Sequence, residues 1–224
     1  MNLVFIALAP VFVIALYIYY RDKYEKEPWK MLLIALVVGA LVAVPVIFVE
    51  RFLSLFTPEE PFRAAFYTSF VIAGFTEESF KFLAFILLIW KSRNFNEKFD
   101  GIVYAVFISL GFAGIENFLY VVQGGATVGL SRALTAVPAH ALFGITMGYY
   151  FGLARFYPGQ RKIMISLAIL IPFMFHGFYD FCLMSKQPLM LLLFVPFVIY
   201  LWISGFRKMK FLSNQSLYKG DKYF

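Results

Sequence analysis

The sequence predicts an all-α fold, a polytopic transmembrane helix bundle of about seven spans with its N-terminus outside and its C-terminus inside. Three observations predict it. The 224 residues are 62% hydrophobic and 15% charged, with a mean hydropathy of +0.78; a soluble domain is nearer roughly half apolar and a quarter charged. The apolar residues gather into seven stretches. The basic residues collect in alternate connections between those stretches.

The stretches are 3–20, 31–49, 64–90, 101–122, 133–154, 163–183 and 189–206. Each is long enough as a helix for a hydrocarbon core of about 30 Å. The first and last are short, and if either fails to cross, five or six crossings remain. The first could also be a signal peptide. It lacks a basic n-region, and Pro10 directly follows the Ala7-Leu8-Ala9 that would be the cleavage motif, so it is read as an uncleaved span. Aromatic residues recur near the segment ends, at Tyr17, Tyr19, Tyr20, Trp29 and Trp90, as in an interfacial belt. The segment 50–63 mixes Leu53, Phe56 and Phe62 with Pro58, Glu59, Glu60 and Pro61; it reads as a connector or a short surface helix. No internal repeat appears, and the chain reads as one integral-membrane domain.

The basic residues set the orientation. One set of loops holds Arg21, Lys23, Lys26 and Lys30; Lys91, Arg93 and Lys98; Arg155, Arg161 and Lys162; and Arg207, Lys208, Lys210, Lys219 and Lys222. The other set holds Arg51, Arg63, Arg132 and Lys186. By the positive-inside rule the first set is cytoplasmic. The net charge of +7 is therefore a property of loops and needs no nucleic-acid partner. The one cysteine, Cys182, excludes an intrachain disulfide. His176 lies six residues before it, about 240° around a helix, which argues against a cysteine nucleophile.

Charge inside the apolar stretches is the feature that points to function. Glu77 and Glu78 lie side by side in FVIAGFTEESFKFLAFILLIW, with Lys81 one turn later. A charge in lipid costs about 2.5–3.5 kcal/mol on insertion scales. Three other stretches carry polar inserts of their own: Glu116 with Asn117, His140, and His176 with Asp180. At ~1.5 Å per residue, Glu77 falls roughly 20 Å below the outer end of its stretch, and Glu116, His140 and His176 roughly 9–10 Å below theirs. Brought together around water, these groups satisfy one another; apart in lipid, each costs free energy. Pro138 and Pro172 precede the two histidines and are positioned to loosen the turns before them. Gly111, Gly114, Gly144 and Gly148 recur at spacings that permit close helix packing.

A carboxylate and an imidazole around one water make a hydrolytic site. The carboxylate takes the proton, one ring holds the water, and a second ring donates to the developing oxyanion. Asp180, one turn from His176, would fix that ring. This scheme needs no metal and no cofactor. The HExxH zinc helix and the GxSxG nucleophile elbow are absent. Tyr179-Asp180 is like the YD of presenilin-type proteases, but the GxGD motif they also require is missing.

The blocks GFTEESFKFLAF, NEKFDGIVYAVFISLGFAGIENFLYV, VPAHALFGITMGYYFG and MFHGFYDF, in this order and after PVFVIALYIYYRDKYEKEP, resemble the PrsW family of intramembrane proteases. The resemblance implies a glutamic-type protease of the bacterial plasma membrane. It implies a single-pass substrate of the anti-sigma-factor type, cut at site 1 near the outer face. The wider superfamily of CAAX prenyl endopeptidases and bacteriocin-processing relatives places a glutamate pair at Glu77 and Glu78, a lone histidine at His140, and a final motif at His176 and Asp180. Lys81 stands where the prenyl endopeptidases carry an arginine one residue later, and Ala136 replaces an aromatic, so a CAAX substrate is not carried over. The expected catalytic set is Glu77, Glu78, His140, His176 and Asp180, supported by Lys81, Glu116 and Asn117. A proton-coupled transporter or sensor is the runner-up, since it uses similar intramembrane relays; a scaffold that binds a substrate helix without turnover is the third reading.

Overall fold

The computed structural model describes residues 3–219, so Lys222 of the basic tail lies outside the described residues. Every regular element among them is helical. In chain order these are α1 (Leu3–Arg21), α2 (Trp29–Ser54), α3 (Pro61–Phe66), a π-helical segment (Tyr67–Phe75), α4 (Thr76–Leu88), α5 (Asp100–Leu134), α6 (Ala136–Phe156), a 3-10 turn (Pro158–Gln160), α7 (Arg161–Met184) and α8 (Pro188–Asn214). In hydrocarbon a helix satisfies its own backbone, which makes it the natural element for so apolar a chain. Five helical stretches are long and apolar enough to cross a membrane: Leu3–Arg21, Trp29–Ser54, Asp100–Phe156, Pro158–Met184 and Pro188–Asn214. The third of these contains both α5 and α6. The α3–π–α4 run forms one further continuous rod.

α5 is the central rod. Every residue from Asp100 to Gly114 is buried, as expected of a helix that is apolar all round. α1, α2 and α6 pack on it, α7 lies against α6 and the π segment, and α8 covers α6 and α7. Small residues set the closest crossings. A Cβ on Gly39 would fall on the Ile108 carbonyl, and one on Gly111 on the Leu36 carbonyl, so α2 and α5 touch backbone to backbone. Gly101 and Gly148 do the same for α5 and α6. Large apolar side chains such as Phe12, Leu41, Phe48, Leu87 and Leu192 face outward, where lipid replaces water as the solvent.

Three local features shape the site. α3 starts with Pro61 at its first turn and Glu60 as N-cap, whose carboxylate accepts from the amides of Phe62 (3.0 Å) and Arg63 (2.8 Å). Segment 50–63 is therefore the end of α2, a turn and the start of α3. The π segment then widens the rod just before the glutamate pair; such turns are frequent at functional sites. Finally, α5 breaks at Gly125, with φ 75° and ψ −169°, a conformation essentially restricted to glycine. The part of α5 beyond Gly125 folds back over the rod. The stretch expected as a plain loop before the fifth span is therefore helical.

The two prolines expected to loosen the histidine turns do not interrupt their helices. Pro138 sits in the first turn of α6, where its missing N–H has no intrahelical partner to lose. α7 continues through Pro172.

Candidate active site

Glu77 and Glu78 open α4, and Lys81 follows at i+4 and i+3. The Lys81 ammonium donates to Glu77 Oε2 at 3.1 Å and to Glu78 Oε1 at 2.8 Å. It sits 4.2 Å from the centre of the Phe112 ring, which faces it as a cation–π partner. Glu78 and Lys81 are fully buried, and Glu77 is 4% exposed. Buried charge of this kind is tolerated when it is paired and hydrogen-bonded.

The histidines come from α6 and α7. His140 Nε2 lies 2.8 Å from Glu116 Oε2 of α5, and His140 Nδ1 lies 3.2 Å from the Lys81 ammonium. The ammonium can only donate, so Nδ1 is the accepting nitrogen and Nε2 carries the proton donated to Glu116. His176 Nδ1 lies 3.0 Å from Glu78 Oε1, and its Nε2 lies 3.3 Å from Asp180 Oδ2, one turn along α7. Both nitrogens face carboxylates, an arrangement that fits the doubly protonated ring. His176 reaches Glu78 because Gly74 of the π segment meets Gly177 of α7: a Cβ on Gly74 would lie 3.0 Å from the Gly177 amide nitrogen. Phe143 stacks on His176 with ring centres 5.0 Å apart and fixes its plane.

The sequence-derived residues thus largely converge. Glu77, Glu116, His140, His176 and Asp180 line one cavity of about 640 Å³ bounded by α2, the π segment, α5, α6 and α7. Glu78 and Lys81 stand behind its wall. Asn117 does not join them. It follows Glu116, and one residue turns a helix by about 100°; its Nδ2 donates instead to the Ala7 carbonyl of α1 at 2.9 Å and ties those helices together.

Three charged residues that line the cavity, Arg132, Glu50 and the neighbouring Arg51, were not among the expected ones. Arg132, counted as an outer-loop charge, is carried back by the break at Gly125; its Nη2 lies 2.8 Å from Glu116 Oε2, with the guanidinium over the Tyr120 ring. Gly124-Gly125 is the sequence signal for that reversal. Glu50, near the end of α2, also lines the cavity; its sequence position at a span boundary hides this.

A family model described as the PrsW family intramembrane metalloprotease matches residues 27–203, which contain every residue of this cavity. The chain belongs to the PrsW family. A protein named Protease PrsW from Clostridioides difficile (strain 630) is 36% identical over 222 residues, covering 96% of this chain and 93% of that protein. Its namesakes in Oceanobacillus iheyensis and Bacillus subtilis (strain 168) are 37% and 35% identical, each over 91% of this chain and 92% of the relative. No solved structure matches the chain. This PrsW-family chain is an intramembrane protease and a multi-pass protein of the bacterial plasma membrane, acting on membrane-protein substrates.

The family description carries a metal, and the donor set fits one. Glu77, Glu78, His140 and His176 each offer one ligand atom, and these atoms all lie within 4.8 Å of one another. Each imidazole directs Nδ1 inward while a carboxylate, Glu116 or Asp180, holds its Nε2, the outer support that metal-binding histidines usually have. Glu78 Oε2 is buried with no hydrogen-bond partner among the described residues. The Lys81 ammonium already contacts three of the four donor side chains. A metal at their centre requires that side chain to withdraw.

Proposed function

We propose that the protein is an endopeptidase that cuts a single-pass, anti-sigma-factor-like substrate near the outer face of the bilayer, with Glu77 as the base and Lys81 as the cation of a glutamic-type site. One observation carries the reading. Glu77 faces the cavity, while Glu78 and Lys81 lie behind it and hold it. Glu77 Oε2 is 4.0 Å from His140 Nδ1 and 3.9 Å from His176 Nδ1. Those separations are too long for direct hydrogen bonds and suit one bridging water.

The mechanism follows from the placements. Water bound to Glu77 beside the two imidazoles loses its proton to Glu77 as it attacks the scissile carbonyl. Charge develops on the carbonyl oxygen, and the His176 imidazolium, held through Nδ1 by Glu78, turns its Nε2–H from Asp180 to that oxygen. Collapse breaks the C–N bond, and protonated Glu77 returns its proton to the leaving amine. Glu116, anchored by Arg132, keeps the His140 tautomer in place. Glu78 holds Lys81 and His176 and touches no substrate. The cavity wall formed by α2 and the π segment suits entry of an unwound substrate segment, and the seven rods serve as seven spans with the basic loops inside.

The second reading is a metal-loaded site, favoured by the inward Nδ1 atoms and the family description. Glu77, Glu78, His140 and His176 would hold the ion. When bound, it would polarise the carbonyl and acidify water. In either case Glu116 and Asp180 orient the rings.

The experiment uses protein reconstituted in liposomes with a single-pass anti-sigma-factor substrate. Cleavage on the outer side, lost in Glu77→Gln and His176→Ala, is expected. No cleavage under any condition, together with proton flux across the liposomes, would sink the reading and favour a transporter. Metal content of the purified enzyme, and its activity after chelation, separate the two protease readings.

A further inference from the structure

A second group of acids lies at the opposite end of the bundle. Asp100 opens α5, sixteen residues before Glu116 on the same rod, or about 24 Å at the helical rise. There the connection between α1 and α2 meets the start of α5. Glu25, Glu27 and Asp100 each place one carboxylate oxygen within 4.8 Å of the others.

The cluster is built, and it is incomplete. Asp100 Oδ2 accepts from the amides of Asn96 (2.8 Å) and Glu97 (2.6 Å), which fixes its carboxylate. The Tyr104 hydroxyl donates to Glu27 Oε2. The remaining oxygens, Glu27 Oε1, Glu25 Oε2 and Asp100 Oδ1, are buried with no hydrogen-bond partner among the described residues. Glu27 is 2% exposed and Asp100 0%. A buried, unpaired carboxylate oxygen is costly, and a cation shared by the three carboxylates offsets that cost.

We propose that Glu25, Glu27 and Asp100 form a site for a hard divalent cation, Mg²⁺ or Ca²⁺, distinct from the hydrolytic cavity. The donor set is all oxygen, with no imidazole or thiolate, which selects those ions over zinc or copper. The ion fastens the α1–α2 connection to the head of the central rod. The C-terminal segment joins the same region through Ser216, which donates to Glu97.

The test uses full-length protein in detergent with Tb³⁺ as the probe, competed by Ca²⁺ and by Mg²⁺. Tyr104 contacts a ligand residue and serves as the luminescence antenna. The Glu77→Gln/Glu78→Gln background removes the two carboxylates of the four-donor set at the hydrolytic cavity and is expected to leave the signal unchanged. Glu27→Gln and Glu25→Gln are each expected to weaken Tb³⁺ binding at least tenfold. Glu25 is only partly buried, and the bond it accepts from Asn96 is a long 3.5 Å, so Glu25→Gln folds and decides the matter. Whichever of Ca²⁺ and Mg²⁺ displaces Tb³⁺ at lower concentration identifies the ion. Absence of saturable luminescence in the parent, or equal affinity in Glu25→Gln, would overturn the proposal.

Discussion

Replacing Lys81 with Met tests the polar centre most sharply. The ammonium is fully buried, 2.8 Å from a fully buried Glu78 and 3.1 Å from a Glu77 side chain that is 6% exposed. Solvent therefore screens almost none of the interaction. Removing one partner from a buried ion pair costs about 3–5 kcal/mol, because it leaves uncompensated charge. At 1.4 kcal/mol per decade, the folded-to-unfolded ratio falls roughly 10²–10³-fold or more. Lys81→Met/Glu78→Gln removes both members, and it is expected to be more stable than Lys81→Met by about 2 kcal/mol, a coupling typical of neighbours in one network. Reversible unfolding in mixed micelles, followed by tryptophan fluorescence, reads these differences. If Lys81→Met costs less than about 1 kcal/mol, or the second substitution adds its full cost, the ammonium does not hold the glutamates. The same variant frees the four-donor set, so its divalent-metal affinity should exceed that of the parent.

Three further outcomes follow from the geometry. Gly125→Ala places a Cβ at φ 75°, ψ −169° with nothing within 4 Å; the strain alone should cost about 1–3 kcal/mol and loosen Arg132 from Glu116, lowering cleavage without abolishing folding. Glu116→Gln takes the carboxylate from His140 Nε2, and cleavage in liposomes should drop about 10–100-fold, the usual effect of losing a histidine's outer partner. The acids of the α1–α2 connection set a pH dependence. Unfolded Asp22 and Glu27 lose protons near 3.8 and 4.5, while the folded groups hold them to about 7. Between those limits the native state binds more protons, so in chelator the contribution of these two groups to stability is greatest below about 4 and falls as pH rises to about 7. A denaturation series across that range checks the sign.

Much of this was legible in the sequence, for reasons specific to each part. Hydropathy marks the seven stretches because a helix in hydrocarbon must present apolar side chains, and each stretch has a helical rod among the described residues, five helical stretches being long and apolar enough to cross a membrane. Glu77, Glu78, Glu116, His140, His176 and Asp180 stand out because polar groups in apolar runs are expensive. Other features carry no such marker. Asn117 and Glu116 look equivalent as neighbours, yet a 100° turn sends one to α1 and the other to His140. Arg132 reads as a loop charge because only Gly124-Gly125 hints that the chain doubles back. Nothing in YTSFVIAGF distinguishes a π segment from an α-helix, since both bury the same apolar residues. The acids Glu25, Glu27 and Asp100 sit among lysines in short connections, where they read as soluble loop composition; only the packing of α1, α2 and α5 shows them buried together.

The central claim is that Glu77, facing the cavity and backed by the ammonium-held Glu78, takes the proton from water. Single-turnover cleavage in proteoliposomes stripped of divalent metal tests it most directly, comparing the parent with Glu77→Gln. The account predicts cleavage by the parent and a loss of at least about 100-fold in the variant, with substrate binding retained. Cleavage by Glu77→Gln at the parental rate would contradict it.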